Sequence, residues 1–193
     1  MSIPQQCTRT ERRGFSLIEL LMVVTITGLM VAITASRFKI TELTEAQLAG
    51  LQMVQDIDYA RTRALATRSL ARVKFENSSL PAYAGFLDTD ADSVIAESAA
   101  EAQNMRGFGR RELPARIFYG RGSVPAIPDD ASSSAITFAS NRVEFSARGV
   151  VHPMGTAGVV YLRHANKPQV VVAVQVSAAG NVRLWTYKEG DWK

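Results

Sequence analysis

Cysteine is almost absent from this chain of 193 residues, since Cys7 is the only one. A single thiol forms no intramolecular disulfide and builds no cysteine cluster around a metal ion. A folded domain in this chain must therefore be stabilised by apolar packing and hydrogen bonds alone. The hydrophobic content of 47% is enough for one apolar anchor and one globular domain.

Residues that carry chemistry are also few. The only histidines are His152 and His164, and they lie in different segments, where we expect a turn and a hairpin end. No serine, aspartate or glutamate stands in a nucleophile motif. We therefore expect no catalytic residue, no enzymatic activity and no cofactor.

Proline is missing between residues 5 and 80, and this stretch holds the long apolar run of the chain, Phe15 to Ser36. About 20 such residues at 1.5 Å each cross a bilayer core, so residues 15–36 are predicted to be a transmembrane helix. Arginines at positions 9, 12 and 13 precede the run and predict a cytoplasmic N-terminus. A secretory signal is the alternative, with possible cleavage sites only around residues 33–37.

The start of this run carries a family resemblance. The sequence Gly14-Phe15-Ser16-Leu17-Ile18-Glu19, between a basic leader and an apolar helix, resembles the prepilin motif of type IV pilins and type II secretion pseudopilins. The resemblance implies that prepilin peptidase cuts after Gly14, removes residues 1–14 and methylates Phe15. Loss of three arginines and one glutamate (3 − 1 = 2) lowers the formal charge from +4 to +2, which is no evidence for nucleic-acid binding.

Glu19 is the one acidic residue inside the apolar run. An ionised carboxylate in hydrocarbon costs several kcal/mol and normally marks a function. Cleavage after Gly14 would create a cation, the amino group of Phe15, and a buried carboxylate is tolerated when it is paired. We expect Glu19 to pair with that amine of a neighbouring subunit during filament assembly. Snorkelling of Glu19 to the headgroups is a compatible reading for the single subunit.

Residues 37–70 keep a helical period and become amphipathic. Apolar or small residues recur every three or four positions, at Leu43, Ala46, Gly50, Val54, Ile57, Ala60 and Ala64. A helix that continues from Phe15 is the simplest expectation, with Thr41 or Thr44 as the cap if it breaks.

Residues 71–193 change to short alternating runs and are predicted to form a periplasmic β-rich domain. The predicted strands are 71–76, 82–87, 116–119, 135–139, 142–146, 158–163, 169–176 and 182–187. The last two should form a hairpin around residues 177–181, with residues 170–174 in a central strand. Loops are expected at 91–104 and 125–134, with a short helix within 97–105. The fold class is α+β, a long N-terminal helix packed on antiparallel sheet.

The β-rich half is similar to the minor pseudopilin H and FimT-type minor pilin family. The similarity lies in residues 143–149, 158–162 and 174–177, the last of which lead to Gly180. In some FimT-type pilins a Gly-Arg-Xaa-Arg loop binds DNA, and residues 180–183 here read Gly-Asn-Val-Arg. The resemblance implies Arg183, Lys188 and Arg163 as candidate DNA contacts, with one arginine missing. A second basic group surrounds a predicted loop, at Arg106, Arg110, Arg111, Arg116 and Arg121.

Three aspartates alternate at Asp88, Asp90 and Asp92 and resemble part of a calcium loop. A calcium loop of the EF-hand type adds a glycine at its sixth position and a distant bidentate glutamate. Position 93 is serine and Glu97 comes too early, so the expectation is a solvated hairpin tip without metal.

The resemblance implies a minor pseudopilin or pilin, anchored in the bacterial inner membrane by a single span with its C-terminal domain in the periplasm. Its expected partners are prepilin peptidase, other pilin-like subunits, the inner membrane, and secreted proteins or DNA. One hypothesis is a type II secretion pseudopilus that drives protein export. The alternative is a minor pilin of a type IV pilus that primes assembly or binds DNA. A plain single-pass membrane protein would not be cleaved at Gly14.

Overall fold

Regular structure begins at Leu17 in the computed structural model, which describes residues 15–35, 41–90, 92–103, 105, 108–128 and 130–193. The chain divides into two units, Met1–Ile40 and Thr41–Lys193. The first unit contains α1 (Leu17–Ala35). The second contains α2 (Glu42–Thr67), β1 (Ala71–Glu76), β2 (Ala82–Leu87), α3 (Ala99–Gln103), β3 (Arg111–Glu112), β4 (Ile117–Tyr119), a 3₁₀ helix (Ala139–Asn141), β5 (Arg142–Phe145), β6 (Val151–His152), β7 (Gly158–His164), β8 (Val171–Val176), β9 (Val182–Lys188) and β10 (Asp191–Trp192).

The helix α1 is apolar almost all round. Its polar hydroxyls are satisfied within the helix, because Thr25 donates to the Met22 carbonyl at 2.9 Å and Thr27 to the Val23 carbonyl at 2.7 Å. Within residues 15–35 and the other described ranges, no helix combines the length and apolarity needed to cross a membrane. The linking residues 36–40 lie outside the described part, so a single continuous helix stays a prediction.

The helix α2 begins where one of the two predicted caps stands. Thr41 is the N-cap, and its hydroxyl accepts the Thr44 backbone N–H at 3.3 Å. The helix ends at Arg68, which has a left-handed backbone conformation with φ of 56°. The predicted apolar face is confirmed at the positions that are buried, Ala46, Gly50, Ile57, Ala60 and Ala64.

Small residues on that face bring α2 close to the sheets. A Cβ atom added at Gly50 would lie 2.6 Å from Leu184 Cδ1 of β9. The missing side chain of Gly50 leaves the space that the Leu184 side chain of β9 occupies, so α2 packs closely on this strand. The main core then forms between α2 and both sheets, with Met53 and Ile57 of the helix and Phe145 of β5 fully buried in it.

Two five-stranded antiparallel sheets accompany α2. The first sheet has the order β3-β2-β1-β5-β6, and the second has the order β10-β9-β8-β7-β4. The β8–β9 hairpin is confirmed, and β8 is the central strand of its sheet. Strand β8 is buried on both faces, because residues 172 and 174 belong to the main core while 171 and 173 lie under a separate apolar cluster.

The prediction of a strand at 135–139 is wrong. Only one bridge forms there, Ile136 to Val160, and the chain then turns into the 3₁₀ helix. The alternation of apolar and polar residues at 135–139 has another cause, because the side chains of Ile136 and Phe138 are both buried in the core. The Phe138 ring occupies the space beside Gly158, where a Cβ would lie 2.4 Å from it. An irregular segment can therefore bury alternate side chains without pairing as a strand.

The other strand predictions differ only at their ends. Strands β1 and β2 match the predicted ranges, while β4, β5, β7, β8 and β9 are shifted at one or both ends by one or two residues. The two-residue strands β3, β6 and β10 escaped prediction because they are too short to alternate. The short helix expected within 97–105 is confirmed as α3, which Ser98 and Glu101 cap reciprocally.

Candidate functional sites

The N-terminal site is described from Phe15 onward, and Gly14 lies outside the described residues. Phe15 has 80% of its surface exposed, and Glu19 one helical turn later is exposed as well. The Glu19 backbone N–H donates to the Ser16 carbonyl at 3.0 Å, which makes it part of the first turn. A carboxylate at this position is favoured by the partial positive charge of a helix N-terminus.

Large apolar side chains follow Glu19 from Leu20 to Val31, and they are exposed. More than half of each side chain's surface is accessible at Leu20, Val24 and Leu29, for example. A contiguous apolar surface of this size is unfavourable in water and marks a surface made for lipid or for other protein. The helix α1 therefore presents an apolar surface, and its single charged residue, Glu19, lies in its first turn.

The three aspartates predicted as metal candidates do come together. One carboxylate oxygen from each of Asp88, Asp90 and Asp92 lies within 4.8 Å of the others. Asp88 is buried and accepts the Ser93 backbone N–H at 3.1 Å, which fixes the turn. Three monodentate oxygens are fewer than the six to eight that Ca²⁺ takes. The arrangement therefore suits a hydrogen-bonded turn, and the expectation of a turn without metal stays a prediction.

Glu97, the further candidate ligand of a calcium loop, pairs with basic residues of the first sheet instead. Its carboxylate forms ion pairs with Arg72 at 3.0 Å and with Lys74 on the outer face of the first sheet. Burial would raise the pKa of Glu97, but hydrogen bonds from Lys74 and Arg72 lower it overall. Arg72 also binds Glu144 at 2.8 Å. This network holds the segment before α3 against the sheet.

The candidate DNA contacts are spread over the second sheet. Arg163 of β7 lies opposite Val171 of β8, and Arg183 of β9 lies opposite Gln175 of β8. The two arginines are therefore offset by four residues along the strand direction, which is about 13 Å. Arg163 lies 5.9 Å from the Phe118 ring centroid and Arg183 only 3.9 Å from that of Trp185. Lys188 lies 3.8 Å from Glu189. These three cations do not form one cluster.

The loop that matches the FimT-type signature is fixed by α2. The Arg61 guanidinium donates to the Gly149 carbonyl at 2.8 Å and to the Ala179 carbonyl and the Asn181 side chain at 3.4 and 3.5 Å. Gly180 is buried with φ of 83°, and an added Cβ would lie 2.4 Å from the Gly149 oxygen. Only glycine fits there. The loop therefore packs against the helix.

Acids compensate only part of the second basic group. Arg110 binds Glu76 at 2.9 Å and Glu112 at 2.8 Å, and Arg121 donates to the Ser132 carbonyl at 2.8 Å. Arg106 lies outside the described residues. Among its described members Arg110 and Arg111 pair with carboxylates, whereas no carboxylate of the described residues lies within 4.0 Å of Arg116 or Arg121, so part of the positive charge remains uncompensated.

Sequence reasoning missed a buried polar network around Asp56. Asp56 is 6% exposed on the inner face of α2, where its carboxylate accepts the Tyr83 hydroxyl at 2.7 Å. The Arg111 guanidinium lies 2.7 Å from the same carboxylate. Burial and the hydrogen bond to Asp56 raise the pKa of Tyr83 well above its ordinary value. A signal was available, because Asp56 follows Met53 by three residues and precedes Ala60 by four, as an inner-face position should.

His164 ends β7 at the β7–β8 hairpin, as expected, and is completely buried. Its Nε2 lies 3.4 Å from the Glu45 carboxylate of α2, and its Nδ1 accepts the Asn166 N–H at 3.2 Å. His152 ends β6 and is exposed, and a cis peptide bond joins it to Pro153. The two imidazoles thus take separate structural positions in two different sheets.

Comparison with known proteins adds two findings. Residues 9–35 match the family described as the prokaryotic N-terminal methylation motif. The structure is similar to the minor pseudopilin EpsH from the type 2 secretion system of Vibrio cholerae, with a TM-score of 0.51 and 14% identity over 74% of this chain and 97% of that chain. A comparison with curated proteins finds no match.

A further likeness is to the type IV minor pilin FimU of Pseudomonas aeruginosa strain PAO1, with a TM-score of 0.49 and 16% identity over 76% of this chain and 92% of that chain. At that score we draw nothing from it. The N-terminal motif and the α+β architecture together make the chain pilin-like in motif and in fold.

Proposed function

We propose that this chain is a minor pseudopilin, a structural subunit that is processed by prepilin peptidase and assembled into a type II secretion pseudopilus. The observation that carries the proposal is the methylation motif at residues 9–35, which includes the exposed apolar helix α1. In this proposal the peptidase cuts between Gly14 and Phe15 and methylates the new amino group of Phe15.

The helix α1 serves as the membrane anchor before assembly. Its exposed apolar side chains need lipid or other apolar helices around them, because water would leave this surface unfavourably solvated. The basic leader retains the N-terminus in the cytoplasm, and the second unit lies in the periplasm. In the filament the same apolar surface packs against the helices of neighbouring subunits.

Glu19 directs the packing of subunits in this proposal. Between apolar helices an unpaired carboxylate is costly. The amino group of Phe15 in one subunit pairs with the Glu19 carboxylate of its neighbour and neutralises it. Assembly thereby removes an unpaired charge from the apolar environment. The pairing also sets the axial register of one subunit against the next, because the two charges stand at defined positions of the helix.

The second unit acts as a structural head and not as an enzyme. Its polar networks at Asp56 and Arg72 are internally paired and connect helix, sheet and loop. We prefer export to DNA reception for two reasons. Asn181 replaces the first arginine of the DNA-binding signature, and the candidate cations Arg163 and Arg183 stand about 13 Å apart along the sheet. DNA-contact affinity grows with the number of phosphates neutralised, so the lost arginine weakens that alternative.

A clean deletion strain tests the choice of system. Exoproteins that accumulate in the periplasm, and that are secreted again after complementation, support the secretion pseudopilus. An unchanged secreted pool contradicts it and points to a type IV pilus, for which piliation and DNA uptake are then measured. The intact mass of the membrane-extracted protein should show a start at Phe15 with one added methyl group.

Two variants test the role of Glu19. Glu19→Ala should leave cleavage and membrane fractionation unchanged and reduce incorporation into sheared filaments. Thr25→Ala is the matched control, since it removes another polar side chain of α1 that bonds only within the helix. Equal incorporation of the two variants would contradict the pairing of Glu19.

A further inference from the structure

Strand β9 has a side that the described part of the chain leaves largely unpaired. On one side residues 182–186 of β9 pair with β8, and on the other β10 covers only Tyr187 and Lys188. Lys193 then exchanges two backbone hydrogen bonds with Thr186, at 2.8 and 3.0 Å. Hydrogen-bonding directions alternate along an antiparallel strand. The N–H and C=O groups of Val182 and Leu184 therefore point to the same side as those of Thr186.

Those backbone groups have no partner among the residues that the structure describes. Each of Val182 and Leu184 offers one donor and one acceptor. Exposed sheet edges of this kind are templates on which another extended segment can pair. The side chains of both residues are only half-buried and point to the α2 side of the sheet, where Leu184 contacts Gly50. The edge therefore combines main-chain hydrogen-bonding groups with apolar neighbours.

The charge of β9 is of one sign. Its residues Val182–Lys188 include Arg183 and Lys188 and no acid. Arg183 is exposed, and no carboxylate of the described residues lies within 4.0 Å of it. Its guanidinium lies on the Trp185 ring, whose indole N–H donates to Gln175 at 2.9 Å. An arginine positioned over an aromatic ring beside an open edge is a prepared site for a carboxylate.

We propose that the Val182–Leu184 edge of β9 binds an extended acidic peptide segment of another protein by strand addition. Two residues of the incoming strand pair with the backbones of Val182 and Leu184. The residue between them lies opposite Arg183 and on the same face of the sheet, so an acidic side chain there reaches the guanidinium. Apolar side chains on either side of it lie next to Leu184 and Val182.

A peptide fits this edge better than a nucleic acid does. The edge presents carbonyl acceptors as well as N–H donors, and a phosphodiester backbone has no donor to give them. A peptide strand satisfies both and uses alternate side chains for specificity. The inference concerns β9 alone and needs no filament, so its failure leaves the proposed secretion role untouched, and the reverse also holds.

Amide hydrogen exchange on the full chain in detergent micelles tests the proposal. The probe is the capped peptide Thr-Val-Glu-Val-Thr, and the readout is the exchange of the Val182 and Leu184 amides. Both should exchange fast without the peptide and about tenfold more slowly with it. The Trp185 amide bonds to β8 and should not change. A peptide N-methylated at both valines keeps the charge, and it should give no protection.

A charge-reversal pair tests the anchor. Arg183→Glu should abolish the protection, whereas Arg148→Glu, which changes an exposed arginine in a turn, should preserve it. Unchanged near-UV circular dichroism of both variants establishes that each is folded. The proposal is overturned if the acidic peptide gives no protection or if the N-methylated peptide protects equally. Protection by an oligothymidylate in place of the peptide would also overturn it and assign the surface to phosphate.

Discussion

Removing the Asp56 carboxylate should cost the second unit a large part of its stability. In Asp56→Ala the buried Tyr83 hydroxyl loses its acceptor at 2.7 Å, and an unsatisfied buried group costs about 1–3 kcal/mol. Arg111 loses its counter-ion, but its side chain is 38% exposed and water replaces part of that interaction. Alanine recovers up to about 0.7 kcal/mol of helix propensity. With about 0–1 kcal/mol for the Arg111 ion pair, the middle of these ranges predicts a loss of about 2 kcal/mol in the free energy of unfolding.

The assay is denaturant unfolding of the full chain in detergent, followed by fluorescence of Trp185 and Trp192. Both tryptophans lie in the second sheet, so they report the unit that contains Asp56. A double-mutant cycle with Tyr83→Phe isolates the hydrogen bond, for which a coupling energy of about 1–2 kcal/mol is expected. Asp58→Ala is the matched control, because Asp58 is exposed on the same helix and should change stability by less than about 0.5 kcal/mol.

Two results would refute this reasoning. A loss below about 1 kcal/mol for Asp56→Ala would mean that water or another donor replaces the network without cost. Additive effects of Asp56→Ala and Tyr83→Phe would mean that the two groups do not interact, whatever their distance.

Three further predictions follow from particular contacts. Gly158→Ala should lower the free energy of unfolding by about 1–3 kcal/mol, because its Cβ meets the Phe138 ring, whereas Gly109→Ala has open space and should be neutral in the same assay. Burial and a hydrogen bond to Asp130 raise the pKa of Tyr161 to about 12. The protonated hydroxyl therefore adds stability that is fully present below the unfolded pKa of about 10 and is lost between about pH 10 and 12. Unfolding midpoints should decline less steeply with pH in Tyr161→Phe. The pKa of Glu97 is lowered in the folded state, so its ion pairs add stability that is present above pH 4.5 and is lost as the pH falls through the folded pKa. Amide protection of residues 92–103 should therefore decrease in acid. In Glu97→Gln the same protection should be reduced already at neutral pH.

Local patterns sufficed for the elements whose stabilising contacts are close in sequence. The range of β1 was predictable because its side chains alternate over six residues, and that of β2 because a short apolar run lies between turn residues. The inner face of α2 followed from a period of three to four, and its N-cap from Thr41. The N-terminal motif is also local, because the junction, the acid and the apolar run all lie within residues 9–35.

Contacts distant in sequence decided the rest. Strand β1 lies between β2 and β5, and β5 begins 66 residues after β1 ends (142 − 76). The alternation of side chains within β1 does not predict that β5 is its partner. The alternation of Ile136 and Phe138 predicted a strand, because side chains on a strand and on this irregular segment are both buried at every second residue. The space beside Gly158, which is distant in sequence, is what accepts the Phe138 ring.

The same division holds for the candidate sites. The sequence alone determined the N-terminal methylation motif, since its residues are neighbours within residues 9–35, and the anchor, the cleavage after Gly14 and the pairing of Glu19 stay predictions made from it. Tertiary structure decided that Asp56 is buried beneath Tyr83, that Glu97 turns away from the aspartates, and that Arg183 lies on Trp185 at an open edge. A side chain's partners depend on which strands and helices pack beside it, and that choice is made by the whole core at once.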